Sequence, residues 1–125
     1  MVDSERSAGT VSGAHIDYVE LPSASAHELT RAFYSKAFGW TFSDYGPEYS
    51  AVEGAAVSVG LQGDPDEALS APLPVVRVDD LDAAFDAVTK AGGHIAKPIF
   101  AFPGGRRFHF RDPAGHEMAA MVPEG

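Results

Sequence analysis

Few residues in this sequence combine the type and spacing that chemistry needs, and they gather in three places. In Gly104-Gly105-Arg106-Arg107-Phe108-His109-Phe110-Arg111 an extended backbone puts Phe108 and Phe110 on one face and Arg107, His109 and Arg111 on the other. Arginine offers a two-pronged fork to a carboxylate, and histidine exchanges a proton near neutral pH, so the basic set suits a carboxylate or enolate-like ligand. The alternative is that Arg107 and Arg111 pair with surface acids while His109 stacks on an aromatic ring. Glu20 and Arg77 form the second place, each inside a strand-like run. Burying either charge is costly, so a mutual pair, a ligand group or water must answer it. The third is the aromatic group Trp40, Tyr45 and Tyr49, where rings that pack and also hydrogen-bond can wall a pocket; Trp40 or Tyr49 is expected to touch the ligand.

Other chemistries are excluded by what the chain lacks. It has 125 residues and no cysteine, which removes disulfides, thiolate-bound metals and thiol nucleophiles. No Gly-x-Ser-x-Gly elbow supports a serine hydrolase, and Gly104-Gly105 lacks the Gly-Lys-Ser/Thr ending of a phosphate loop, so it reads as a turn before a strand. His116 and Glu117 are adjacent in a strand and point to opposite faces, which gives them no joint role. His27, in a first helical turn, and His94, after a Gly-Gly pair, read as solvent-facing. A net charge of −9 argues against nucleic acid and anionic membranes as partners. Without an apolar run long enough to span a bilayer, or a signal-peptide pattern, a cytoplasmic location is expected.

The elements that position these residues follow from periodicity. Residues 1–14, rich in Ser, Gly and charge, read as a flexible leader outside the fold. His15 to Leu21 reads as a strand ended by Pro22, with Val19 and Leu21 on one side and Ile16, Tyr18 and Glu20 on the other. Ser25-Ala26-His27-Glu28 fits a capping box, and Leu29, Ala32, Phe33 and Ala37 recur as a helical apolar stripe until Gly39. Trp40–Ser43, Tyr49–Val52 and Ala55–Gln62 read as a three-strand meander. After a Pro-rich, acidic linker at 63–72 the pattern restarts. Leu73–Val78 is a strand whose Val76 and Val78 are set against Leu73, Val75 and Arg77, with Asp79-Asp80 as the next cap. Leu81, Ala84, Phe85 and Val88 make a second stripe, closed by Gly92-Gly93, before strands at Ile95-Ala96, Arg106–Arg111 and Glu117–Met121, with a short tail at 122–125. Glu20 and Arg77 occupy matching places 57 residues apart, so the second half reads as a diverged copy of the first. The fold class is α+β, with module one at 15–62 and module two at 73–121 in a single domain.

Paired βαβββ modules resemble the vicinal oxygen chelate superfamily of glyoxalases, bleomycin-resistance proteins and extradiol dioxygenases. Arg31-Ala32-Phe33-Tyr34-Ser35-Lys36-Ala37-Phe38-Gly39-Trp40 is similar to that family's helix end, and Phe110-Arg111-Asp112-Pro113-Ala114-Gly115-His116-Glu117 to its strand-turn-strand. The run Lys97 to Phe110 resembles an uncharacterised bacterial glyoxalase-like group. The resemblance implies a curled mixed sheet around a shared cavity lined by Ile16, Tyr18, Glu20, Leu73, Val75 and Arg77. Family metal positions in it fall on Ile16, Leu73, Ala119 and either Ser58 or Gly60, none of which is a good ligand. Only a register shift of one would bring His15 back as a ligand. No resident cofactor is expected, with a divalent metal as the alternative. The resemblance further implies a small-molecule ligand, a carbonyl or carboxylate compound, and metal-independent lyase or isomerase chemistry. Glu20 is then the base, with Arg77, Arg107 or His109 balancing negative charge. The alternatives are a non-catalytic, drug-sequestering binding protein and a metal-dependent lyase or dioxygenase. A homodimer is expected.

Overall fold

A computed structural model describes residues 13–54, 56–67 and 69–124; most of the expected leader, residues 1–12, lies outside them. Two compact units divide the chain, Asp17–Pro74 and Val75–Gly125 with the segment ending at Ile16. Each is taken by itself.

In the first, β1 (His15–Pro22) leads through a short 3-10 turn, Ala24–Ala26, into α1 (His27–Phe38), followed by β2 (Phe42–Asp44), β3 (Tyr49–Val52) and β4 (Ser58–Gln62). The strand order is β2-β3-β4-β1, antiparallel except that β4 returns parallel beside β1. Gly39 ends α1 in the left-handed conformation at φ 71°, its N–H donating to the Ser35 carbonyl, as a glycine there permits. The start of the helix departs from expectation. Ala26 is the cap residue and makes no side-chain cap bond, because the 3-10 turn takes up Ser25 and the ordering groups are Ser23 and His27.

The helix is also rotated relative to its apolar stripe. Leu29 and Phe33 are 77% and 58% exposed, and Ala32 and Ala37 are exposed with them. The inward side is polar: His27 reaches Ser23 and Ser50, Arg31 reaches Asp44 on β2, and Ser35 Oγ donates to the Trp40 carbonyl at 2.9 Å. Residues 27, 31, 34 and 35 share one helical face. Their anchoring fixes the rotation and turns the hydrophobic residues outward.

Module two repeats the topology. β5 (Leu73–Arg77), α2 (Leu81–Lys90), β6 (His94–Phe102), β7 (Gly105–Arg111) and β8 (Glu117–Pro123) give the order β5-β8-β7-β6, with β8 parallel to β5. The 57-residue offset survives in the pairing: Tyr18 opposes Ser58 and Glu20 opposes Gly60, as Val75 opposes Ala119 and Arg77 opposes Met121. Here the helix behaves as its stripe demands. Asp80 caps α2 by accepting from the Ala83 N–H at 3.0 Å, and Val78, Leu81, Ala84, Phe108 and Ala120 form a buried core, flanked by Phe85 and Val88. The Phe85 and Phe108 rings meet edge to face at 5.1 Å. β6 is much longer than Ile95-Ala96, extending through Phe102 with two register irregularities that accommodate Pro98, and Pro103-Gly104 form the turn into β7. β8 likewise runs past Met121 into the expected tail.

Candidate functional site

Module two carries the denser chemistry. Phe108 faces α2, so Arg107, His109 and Arg111 lie on the sheet face turned away from the helix. Ladder pairing extends that face into rows: Val75, Ala119, His109 and Lys97 form one, and Arg77, Met121, Arg107 and Phe100 the next. With Arg111, four of the chain's nine basic residues share this face of an otherwise acidic protein. Such a concentration draws anions to it.

His109 sits at its centre, 2% exposed. Its Nδ1 is 2.9 Å from Glu117 Oε2, and Glu117 Oε1 accepts from Arg111 at 3.2 Å. An ionised carboxylate can only accept, so the imidazole proton is on Nδ1 and Nε2 presents a lone pair. Among the described residues Nε2 is buried and has no hydrogen-bond partner. Burial pushes His109 below the usual imidazole range; the bond to Glu117 opposes this, while the charges of Arg107 and Lys97 reinforce it. The ring is therefore neutral at pH 7, with an unpartnered lone pair on Nε2. Phe100 stands 5.7 Å from His109, centroid to centroid, and the Arg107 guanidinium lies 5.4 Å and 4.9 Å from the ring centroids of Phe100 and Phe102.

Glu117 is the residue that sequence reasoning missed. Sequence order sets it beside His116, and neighbours on a strand point to opposite faces, which hides its role. Yet the Asp112–Gly115 turn fixes the β7–β8 register, setting Glu117 opposite Arg111 and diagonal to His109. His116 instead bonds to Asp112 within the turn.

In module one, Tyr18, Tyr49 and Glu20 come together. Tyr49 Oη donates to Glu20 Oε2 at 3.2 Å, which leaves Tyr49 accepting from the Tyr18 hydroxyl in a short bond. Burial above all, with Tyr18 and Glu20 alongside, pushes the Tyr49 hydroxyl above the usual phenol range, so it stays protonated. Both hydroxyls lie over Gly60, where a Cβ would collide with them. Trp40 belongs elsewhere, stacked on Tyr34 at 4.9 Å at the end of α1. Arg77 is exposed at the end of β5, and Tyr45 is exposed beyond β2.

A second polar set in module one corrects the reading of His27 as solvent-facing: it is buried, held by Ser23 Oγ on Nδ1 at 2.6 Å and by Ser50 Oγ on Nε2 at 3.0 Å. Ser50 donates its single proton to Asp44 at 2.6 Å, so His27 Nε2–H donates to Ser50 and Nδ1 accepts from Ser23. The bidentate Arg31 guanidinium, then Ser50, hold the Asp44 carboxyl below the usual range.

The match that decides the family covers residues 15–119, the model of the Glyoxalase/Bleomycin resistance protein/Dioxygenase superfamily. The chain belongs to this superfamily. Solved structures sharing its vicinal oxygen chelate fold include methylmalonyl-CoA epimerase from Mycobacterium tuberculosis (17% identity, TM-score 0.67, covering 92% of this chain and 90% of that one). A superfamily member from Vibrio splendidus 12B01 is similar at 17% identity and TM-score 0.67, over 87% and 98% of the two chains. The Mn(II)-bound glyoxalase from Novosphingobium aromaticivorans matches at 22% identity and TM-score 0.64, over 86% of this chain and 38% of that one. No curated protein matches in sequence.

Superfamily relatives that hold a metal raise the question of fit. The ligand positions implied by the resemblance do not supply donors here: Ile16 is 47% exposed rather than inward, Leu73 and Ala119 are buried apolar residues, and Gly60 is roofed by tyrosine hydroxyls. His15 bonds to the Gly13 carbonyl at 3.0 Å. Among the described residues no cluster of three or more His, Asp or Glu could hold an ion. The residues at these positions do not fit the metal of the relatives.

Proposed function

We propose that this superfamily member binds a small organic anion on the cationic face of module two and moves a proton at it, with His109 as general base. The observation that carries the reading is the His109–Glu117 dyad, in which one nitrogen is fixed by a carboxylate and the other is buried, unprotonated and without a hydrogen-bond partner among the described residues. A carboxylate-oriented imidazole is the usual device for holding a base in one tautomer. Arg107, stacked by Phe100 and Phe102, supplies a pre-oriented fork for the ligand's carboxylate, and Lys97 adds charge against a developing enolate. Glu20 is assigned a different role from the base expected of it. Its carboxylate already accepts from Tyr49, which suits an acceptor that orders the tyrosine pair.

Solvent exchange tests this. In deuterium oxide, a panel of small 2-oxo and 2-hydroxy carboxylic acids, followed by proton NMR, should include a compound whose acidic hydrogen, on C3 of a 2-oxo acid or on C2 of a 2-hydroxy acid, exchanges with the wild-type protein and not with His109→Gln. Arg107→Met should weaken binding of the same compound roughly tenfold or more, as loss of a charge-assisted pair does. Binding without exchange would favour the sequestering alternative, and exchange that survives His109→Gln would remove the base assignment.

A further inference from the structure

The path of β6 around Lys97 carries more than the proposed function uses. Ile95 pairs with Phe110 and packs, like Ile99, on the apolar core beneath α2. Alternation would send Lys97, midway between these two, to the same helix-covered face. It does not go there. A register irregularity stands on each side of it, between Ile95 and Lys97 and again between Lys97 and Phe100, and each inserts one extra β6 residue against β7. The pair of irregularities that admits Pro98 thereby turns Lys97 over, opposite His109, and brings Phe100 to the same face, opposite Arg107. Bulges beside binding sites re-aim side chains in this way. The surroundings of the ammonium are equally distinct. Lys36 and Lys90 stand exposed in the last turns of α1 and α2, whereas Lys97 is half-buried in mid-strand. Among the described residues no carboxylate pairs with it, and its Nζ rests 5.5 Å from the centroid of the Phe100 ring. Arg107 meets the same ring at 5.4 Å, and Glu117, the acid on this face, is already taken by His109 and Arg111.

We infer that the anion bound on this face is a dicarboxylate, a 2-oxo or 2-hydroxy diacid of four or five carbons, with Arg107 holding the carboxylate next to the reacting carbon and Lys97 the one at the far end. The inference rests on the proposed reading of this face as the ligand site, and adds the substrate class. Lys97 on β6 and Arg107 on β7 are diagonal neighbours, and such positions lie about 7–8 Å apart at the backbone. Two separated single charges match them better than one compact dianion. The guanidinium is a planar fork and the ammonium carries three donors, so Arg107 grips one carboxylate bidentately while Lys97 reaches both the far carboxylate and the oxygen on the reacting carbon. A monoacid fills the fork alone. It leaves the half-buried ammonium facing a methyl group, without the partner that would offset its desolvation.

Isothermal titration calorimetry of the full chain with matched acids tests this. 2-Oxopentanedioate is compared with 2-oxopentanoate, and 2-hydroxybutanedioate with 2-hydroxybutanoate, each pair differing by one carboxylate in place of a methyl group. At least one diacid should bind the wild type roughly tenfold or more tighter than its monoacid. Lys97→Met, which keeps a long apolar side chain on Phe100, should bring that ratio close to one, and Lys97→Arg should keep it. Arg107→Met should weaken both members of the pair alike. Circular-dichroism melts establish that each variant is folded. Equal affinity for diacid and monoacid overturns the inference while the proposed function stands. A preference that survives Lys97→Met overturns the role of Lys97, and inorganic phosphate bound more tightly than any diacid overturns the dicarboxylate in favour of a single dianionic group. Failure of every acid to bind strikes the proposed reading of the face itself, and the inference falls with it.

Discussion

The two modules share one topology and differ in how they hold their helix. In module two, α2 presses an apolar stripe onto the sheet, and the buried cluster of Val78, Leu81, Ala84, Phe108 and Ala120 holds it. In module one, α1 is held by directional bonds from Ser23, Ser50 and Asp44 to His27 and Arg31, with its apolar residues outside. One helical position can thus be fixed either by hydrophobic burial, which leaves an outer face free to be polar, or by hydrogen bonding, which leaves an outer face free to be sticky. The same division runs through the other faces. Module one joins polar groups in the Tyr18–Tyr49–Glu20 chain, whereas in module two one buried histidine nitrogen has no hydrogen-bond partner among the described residues.

Deleting one apolar ring in each module should break the comparison first. Phe108→Ala removes a fully buried ring and should cost about 3–5 kcal/mol, whereas Phe33→Ala should change the stability of the dilute monomer by no more than about 0.5 kcal/mol; urea unfolding of both variants checks this. Next in size is the polar clamp. His27→Ala leaves Ser23 and Ser50 without their shared partner and should destabilise by about 1–3 kcal/mol, read from the same curves. Smaller still is the pair of helix starts. Asp80→Ala should cost about 1 kcal/mol through its lost cap bond, and Ser25→Ala only a few tenths.

A pH series sharpens the contrast without altering the chain's contacts. Burial lowers the His109 pKa in the folded state, so the unfolded chain binds more protons as pH falls below the ordinary imidazole value of about 6.5. The contribution of this group is present above that value and lost as pH drops toward the folded pKa. Stability should fall over that window in the wild type, and more shallowly in His109→Gln.

Much of this was legible from residue order. Alternation in Gly105–Arg111, the glycine after Phe38, the Asp80 cap and the 57-residue repeat each rest on local backbone physics, and each is found where the pattern placed it. The rotation of α1 was not legible, because a stripe of Leu29, Ala32, Phe33 and Ala37 says which face is apolar and not which face is buried. Deciding that required His27, Ser50 and Asp44 to meet, residues from three different elements. Pro98 concealed the length of β6, since proline argues against a strand unless an irregularity admits it. The partner of His109 lay within reach: once the Asp112–Gly115 turn is recognised, the hairpin register places Glu117 diagonal to it.

The account turns on the protonation of a single ring. Long-range proton–nitrogen correlation NMR on protein labelled with ¹⁵N in its histidines reports, at neutral pH, which nitrogen of His109 bears the proton. The structure predicts a neutral ring protonated at Nδ1, with an unprotonated Nε2 and a titration below the usual imidazole range that moves lower in Glu117→Gln. A proton on Nε2, or an imidazolium at pH 7, would contradict it.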